Sequence, residues 1–156
     1  MKSKMKTIAF LLVLLVAAAS CKTVDIESAK ENVSVVNEEG QTKFILSNLQ
    51  FEANSAEITP ETANTLDYLK LLLKNYDGEE VIITGHAANV GDESAIMAIS
   101  KERAEAVAAY LIKNKTFKAE AITTVGKGAS EPIGDDDTAK ENRRVEIDVV
   151  GYQMEE

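Results

Sequence analysis

Arg103 is the residue whose chemistry fits its position in this sequence least well. Between residues 93 and 114, apolar side chains recur at helical spacing and form one arc, made of Ile96, Ile99, Val107, Tyr110 and Leu111. Arg103 falls inside that arc. A guanidinium cannot lose its proton, so burying it without an acceptor is costly.

Two interpretations of Arg103 follow from this position. In the first, the side chain snorkels from the edge of the arc or pairs with a carboxylate of the protein. In the second, it reaches a shallow site at the amino end of the helix and binds a ligand carboxylate through both of its terminal nitrogens.

Other reactive side chains indicate binding and not catalysis. His86 lies between a buried strand and the Arg103 helix, a common place for a binding site. It is the only histidine and has no Cys, Asp or Glu cluster at ligand spacing nearby, so we predict a structural role for it. The serines lie in no nucleophile motif, and the Asp135–Asp137 run lacks the alternation of a calcium loop. We predict no catalytic residue, no metal site and no cofactor, and hence no enzyme.

The amino terminus has the pattern of an export signal. Residues 1–6 are basic, and Ile8–Ala19 is an apolar run too short to cross a membrane of about 30 Å as a helix. Small residues precede Cys21, the only cysteine, and this resembles the lipobox of bacterial lipoproteins. The resemblance implies cleavage before Cys21 and acylation of that residue, and acyl chains hold a protein to a membrane at about 0.8 kcal/mol per buried methylene. The open alternative is ordinary cleavage with a free cysteine.

The remaining patterns predict one α/β domain. Strands are predicted at Phe44–Phe51 (with Ile45, Leu49 and Phe51 on one face), Val81–Ile83, Ala121–Val125 and Val145–Val150, and helices from Pro60 to Tyr76 and from Glu93 to Asn114. The βαβαββ order predicts an α+β sandwich, in which a mixed four-stranded sheet has its helices packed on one face. We assign residues 1–20 to the signal peptide, 21–42 to the lipidated cysteine and a tether, and 43–152 to the domain. Within the tether, Val33–Val36 favours a strand only weakly.

Composition limits the partners. The chain has 45% hydrophobic and 28% charged residues, as a folded domain would, and its formal charge is −9. Losing the lysines of the signal would make it more acidic still. Such a charge opposes binding to nucleic acid.

Five motifs in this order resemble an OmpA-like domain, the peptidoglycan-associated family. They are Phe51-x-x-Asn54-Ser55-x-x-Ile58-x-Pro60, Ile82-x-x-Gly85-His86, Ser100-x-x-Arg103-Ala104-x-x-Val107-x-x-Tyr110-Leu111, Gly126-x-Gly128-x-x-x-Pro132 and Asn142-Arg143-Arg144-Val145-Glu146-Ile147. The resemblance spans about residues 44–150. It implies a periplasmic domain that binds peptidoglycan without a covalent bond, through the diamino acid of the stem peptide.

The resemblance also implies the site residues. Arg103 occupies the position of the family's carboxylate-binding Arg, Asn54 matches the Asn after the first strand, and Arg143 matches the Arg near the last strand. The family's ammonium-binding Asp is Ala88 here, and its supporting Thr and Asn are Val90 and Ile96. Losing the Asp removes a bond of roughly 1.5–3 kcal/mol, so affinity for the usual ligand should fall by about one to two orders of magnitude. Asn89 or Asp92 could substitute in part, although both are displaced along the loop.

Two functions are compatible with these residues. The first is a lipoprotein of the outer membrane whose periplasmic domain binds the peptidoglycan stem peptide and tethers the membrane to the cell wall. Its partners would be the stem peptide and, through acylated Cys21, membrane lipid. The alternative is an envelope scaffold whose wall-binding site is degenerate and which contacts other envelope proteins. The apolar residues Ala88, Val90 and Ile96 favour this alternative.

Overall fold

One mixed sheet with its helices on one face makes up the described part of the chain. The computed structural model describes residues 24–38, 41–47, 49, 51, 54–74, 76 and 80–152. The predicted signal peptide and Cys21 lie outside these residues. In chain order the elements are α1 (Ile26–Glu31), β1 (Val33–Glu38), β2 (Gln41–Ser47), α2 (Pro60–Leu72), β3 (Val81–His86), α3 (Glu93–Lys113), β4 (Ile122–Gly128) and β5 (Arg144–Val150).

The sheet has the strand order β1-β2-β5-β3-β4. Strands β3 and β4 are parallel, and the other neighbours are antiparallel. The mixed sheet and the βαβαββ order from β2 onward confirm the prediction. The predicted number of four strands is wrong, because β1 adds a fifth strand at the edge.

The core lies between the inner face of the sheet and helices α2 and α3. Alternate residues of the strands point into it, because successive side chains of a strand lie on opposite faces. The fully or almost fully buried ones are Phe44, Leu46, Val81, Ile83, Val145, Ile147 and Val149. The helices meet them with Leu66, Leu69, Ala104, Val107 and Leu111.

The face predicted for β2 is wrong by one residue. Ile45 lies opposite Glu146 on the outer face of the sheet, whereas Phe44 and Leu46 are fully buried. The prediction took its alternation from Leu49 and Phe51, but the strand ends at Ser47. Beyond that residue the two-residue period of a strand no longer applies.

The predicted tether also needs correction, because residues 26–38 pack on the domain. Asp25 caps α1, and its backbone exchanges hydrogen bonds of 2.7 and 2.8 Å with the side chain of Asn64 on α2. Ala29 is fully buried, and β1 pairs with β2 along its whole length. One small apolar residue, a cap and a strand ladder hold this segment. The strand weakly predicted at Val33–Val36 is confirmed as β1, whereas the polar composition gave no sign of α1.

Helices α2 and α3 begin at the residues that their caps require. The Thr59 hydroxyl accepts a hydrogen bond from the Thr62 amide, with Pro60 at the first helical position. The Asp92 carboxylate accepts one from the Ala95 amide at 3.1 Å. The predicted start of each helix is therefore confirmed.

Candidate functional site

A groove of about 330 Å³ opens beside the amino-terminal half of α3. Its walls come from the loop before α2, the loop between β3 and α3, the first three turns of α3 and the residue before β5. The lining residues are Asn54, Ala87, Ala88, Val90, Gly91, Asp92, Ala95, Ile96, Ile99, Arg103 and Arg143. The four residues predicted to bind ligand, Asn54, Ala88, Arg103 and Arg143, therefore come together here.

Close packing of α3 on β3 sets the position of Arg103. A Cβ at Gly85 would lie 2.0 Å from the backbone oxygen of Ser100, so only glycine allows the helix this near to the strand. The Ser100 hydroxyl also accepts a hydrogen bond from the Gly128 amide at 2.9 Å. These two contacts fix the helix one turn before Arg103.

Arg103 is buried, with 8% of its surface exposed, and it borders the groove. Its Nε donates to the backbone oxygen of Ser55 at 3.1 Å, and its guanidinium lies 5.0 Å from the ring centre of Phe51. Within the described residues, no carboxylate forms an ion pair with it. Burial and then the positive charge of Arg143 lower its pKa from the usual value. Neither the snorkelling side chain nor the internal ion pair is observed, so the first interpretation of Arg103 is not supported by the described residues.

Arg143 and Asn54 border the groove from two loops. Arg143 is exposed and follows the short turn Lys140–Asn142. That turn is held by buried Asn142, whose side chain accepts from the Ile133 amide at 2.6 Å and donates to the Asp136 oxygen at 2.8 Å. Asn54 is exposed and has a φ of 54°, a left-handed conformation that asparagine tolerates better than most residues.

The opposite part of the groove is apolar. Ala88 and Ile96 are buried in its wall, and Val90 is 67% exposed at its rim. Of the two proposed substitutes for the missing acid, Asn89 does not line the groove, and its amide donates to Asp137 at 2.7 Å. Asp92 does line it. Hydrogen bonds from Ser94 and from the Ala95 amide lower the pKa of Asp92.

Comparison with known proteins identifies the family. The family model for the OmpA family matches residues 50–146. This chain belongs to the OmpA family. The probable lipoprotein YiaD of Escherichia coli (strain K12) is 37% identical over 103 residues, covering 64% of this chain but only 47% of that protein. The outer-membrane lipoprotein YfiB of Pseudomonas aeruginosa is 33% identical over 148 residues, which is 88% of each chain.

A solved structure agrees with the fold of this OmpA family chain. The cell wall anchor of the type VI secretion system (T6SS) from Pseudomonas aeruginosa superposes with a TM-score of 0.65 at 26% identity. The match covers 78% of this chain and 89% of the anchor. The α+β architecture is thus shared with a cell wall anchor.

Arg144 and His86 form a buried polar cluster that the sequence analysis did not predict. Arg144 is 5% exposed and His86 is 2% exposed. Arg144 Nε donates to Glu146 Oε1 at 2.7 Å, and Arg144 Nη2 donates to the Glu131 backbone oxygen at 3.2 Å. The adjacent Arg143, in contrast, is exposed. The signal for Arg144 was its place on the outer face of β5 with Glu146 and Asp148.

His86 lies against the same cluster. Its Nε2 is 3.6 Å from Glu146 Oε1. Burial and then the charge of Arg144 lower the pKa of His86 to about 4. Burial alone would raise the pKa of Glu146, but the hydrogen bond from Arg144 leaves it below the usual value. At neutral pH the cluster therefore contains a neutral imidazole and an ion pair.

The described residues contain neither a metal-binding cluster nor a membrane-spanning helix. No group of three or more His, Cys, Asp or Glu side chains in this part of the chain is arranged to hold a metal ion. No helix in it is long and apolar enough to span a membrane.

Proposed function

We propose that this chain is a lipid-anchored envelope protein whose groove binds a carboxylate of the peptidoglycan stem peptide. The observation that carries this proposal is Arg103, a buried guanidinium on the wall of an open groove without a carboxylate partner among the described residues. Leaving a buried cation unpaired is costly, and a ligand carboxylate would supply the missing partner.

The geometry suits a carboxylate more than any other group. The Nε of Arg103 donates to the backbone oxygen of Ser55, so we expect its two terminal nitrogens to bind the ligand. Arg143 borders the same groove. Hydrogen bonds to charged groups contribute about 1.5–3 kcal/mol each. The amide of Asn54, on the facing loop, would bond the peptide backbone. In this arrangement the groove binds and orients a ligand without changing it.

Ala88 and Ile96 make this groove selective for the carboxylate half of the ligand. An acid at position 88 would pair with an ammonium, but the methyl group of Ala88 cannot. The acid nearest in sequence that lines the groove is Asp92, at the start of α3. Eleven residues separate Asp92 from Arg103, which is roughly 16 Å along a helix axis. We therefore expect weaker recognition of a zwitterionic amino acid end than in relatives that carry the acid.

The anchor would be Cys21, and the similarity to the outer-membrane lipoprotein YfiB supports attachment to the outer membrane. The structure changes the length of the tether that this proposal needs. Asp25 is already held by Asn64, so the chain between Cys21 and the folded part spans at most about 14 Å. The domain would therefore lie close to the membrane surface, and the wall would have to come within reach of it.

Co-sedimentation with insoluble sacculi tests the proposal. A soluble form (residues 22–156) should pellet with sacculi at low salt, and Arg103→Met should lose at least tenfold in affinity. Lys101→Gln is the matched control, because it removes an exposed cation from the same helix two residues away. Equal amounts of wild type and Arg103→Met in the supernatant would reject the proposal.

The exposed, apolar rim favours a second candidate, a scaffold that contacts another envelope protein. Val90 is 67% exposed beside Ile96, and an apolar surface there suits a protein partner. A photo-crosslinking amino acid at position 90, used in growing cells, separates the two functions. Wall fragments attached at this position support the first, and a single discrete protein supports the second.

A further inference from the structure

A second and smaller cavity, of about 40 Å³, lies behind the groove. It is lined by Leu49, Phe51, His86, Arg103, Arg143, Arg144 and Val145. Arg103 and Arg143 border both spaces, so their side chains stand between the groove and the cavity. The volume suffices for one or two water-sized particles and for little more.

Buried polar atoms around this cavity lack partners. Arg144 uses Nε and Nη2 on protein oxygens, but its Nη1 has no hydrogen-bond partner among the described residues and no contact with solvent. The same holds for both ring nitrogens of His86. Buried polar groups are bonded in the great majority of cases, because an unmade bond costs about 1–3 kcal/mol. Two neighbouring side chains with three such atoms therefore point to an occupant.

The charges around the cavity favour a negative occupant. Three guanidiniums border it. Among the described residues, a carboxylate ion pair is found for Arg144 alone, with Glu146, which also pairs with Lys43 at 3.2 Å. Burial and then the positive charge of Arg143, which borders the same cavity, lower the pKa of Arg103. Clustered cations in a partly dry site are destabilising unless an anion offsets them.

We propose that this cavity is a binding site for a small anion, either a halide or a carboxylate head no larger than formate, held by Arg144 together with Arg103, Arg143 and His86. The carboxylate can arrive free from solution or as the head of a ligand that reaches past Arg103. The site does not rest on the proposed function, because a free anion can enter whatever the groove binds.

His86 provides a reporter for the test, because it is the only histidine of the chain and its imidazole NMR signals need no further assignment. The full-length protein in detergent micelles is titrated with sodium formate, and in parallel with sodium benzenesulfonate at the same ionic strength. Formate should shift the His86 signals along a saturable curve. Benzenesulfonate, which is too large for the cavity, should produce at most a small linear drift.

Two variants that remove one positive charge each complete the test. Arg143→Gln deletes an exposed side chain that borders the cavity, and it should weaken formate binding about tenfold or more. Lys140→Gln deletes an exposed cation three residues earlier that borders neither space, and it should leave the affinity unchanged. The same drift with both anions, or equal formate affinity in both variants, would mean that only water fills the cavity and would overturn the proposal.

A competition experiment distinguishes the two sources of the anion. An alanine-terminated tripeptide is added as the free acid or as its carboxy-terminal amide. If the acid shifts His86 and abolishes the formate effect, the head of a groove ligand enters the cavity. If formate still binds normally, the cavity takes free anions. If wild-type protein binds sacculi but does not bind formate, the cavity proposal is refuted and the proposed function is not.

Discussion

Two buried arginines with opposite surroundings allow one sharp prediction about stability. Arg103 and Arg144 are 8% and 5% exposed, but Arg144 has a carboxylate partner, and none is found for Arg103 among the described residues. Replacing each by Met removes the charge and keeps a long, flexible side chain. We expect Arg103→Met to leave the free energy of unfolding unchanged or to raise it, and Arg144→Met to lower it.

The magnitude for Arg103 follows from what the substitution removes. It deletes a hydrogen bond to Ser55, about 1.5–3 kcal/mol, and a cation–π contact with Phe51, about 1 kcal/mol. Against this, it removes the desolvation cost of a buried cation, which is several kcal/mol, and the repulsion from Arg143. The net change should lie between zero and about 2 kcal/mol of added stability.

Arg144→Met leaves the carboxylate of Glu146 without its arginine partner. Glu146, whose side chain is 13% exposed, loses its contact at 2.7 Å and keeps only Lys43 and neutral neighbours. Breaking a buried pair on one side typically costs 3–5 kcal/mol. Because Lys43 still pairs with Glu146, we expect the lower end, about 3 kcal/mol.

Urea denaturation of the soluble form, with wild type and both variants, measures the two changes. A loss of about 3 kcal/mol should also lower the melting temperature by roughly 6–12 °C. If Arg103→Met destabilised the protein as much as Arg144→Met does, Arg103 would have an internal partner. The argument that it awaits a ligand carboxylate would then fail.

Three further outcomes are expected. Ala88→Asp introduces the missing acid and should raise the affinity for a zwitterionic diamino acid by about one to two orders of magnitude. Calorimetry measures this affinity, and no gain would show that position 88 does not face the ligand. Gly85→Ala drives a Cβ into the Ser100 carbonyl and should cost about 3 kcal/mol or prevent folding, whereas near-wild-type urea stability would contradict the close packing of β3 and α3. Because the pKa of His86 is about 4 in the fold and about 6.5 when unfolded, the unfolded chain binds the extra proton, so stability should fall by up to the order of 3 kcal/mol as pH drops from about 6.5 to 4. His86→Gln should flatten that part of the pH–stability curve, and an unchanged slope would show that other groups cause it.

Strong local signals made most of the fold predictable. Pro60 lies at the start of α2 as predicted. The predicted strand Val145–Val150 is observed as β5, in which Val145, Ile147 and Val149 are buried. The first helix gave no such signal, and Val33–Val36 gave only a weak one for the first strand. These two elements are held in place by buried Ala29 and by the pairing of β1 with β2. Such tertiary contacts cannot be recognised from local composition.

The candidate site was predictable where a residue contradicts its own pattern. Arg103 interrupts an apolar arc, and that conflict indicated a possible site at the amino end of α3. Arg144 broke no pattern, because an arginine that begins a strand beside a second arginine is ordinary on a surface. Only the sheet register, which places it on one face with Glu146 and next to His86, shows that it is buried.

Net charge and local charge act in opposite directions in this protein, and the difference argues for selectivity. The chain carries a formal charge of −9, so at low salt it repels polyanions at a distance. That repulsion fades beyond about 10 Å at 0.1 M salt, whereas Arg103 and Arg143 act at contact distance within the groove. A carboxylate on a neutral or weakly charged peptide can therefore reach Arg103 and Arg143. A densely charged polyanion is repelled by the net negative charge of the protein. Because there is no acid at position 88 to pair with an ammonium, we expect the groove to prefer a ligand with one negative group and no other charge.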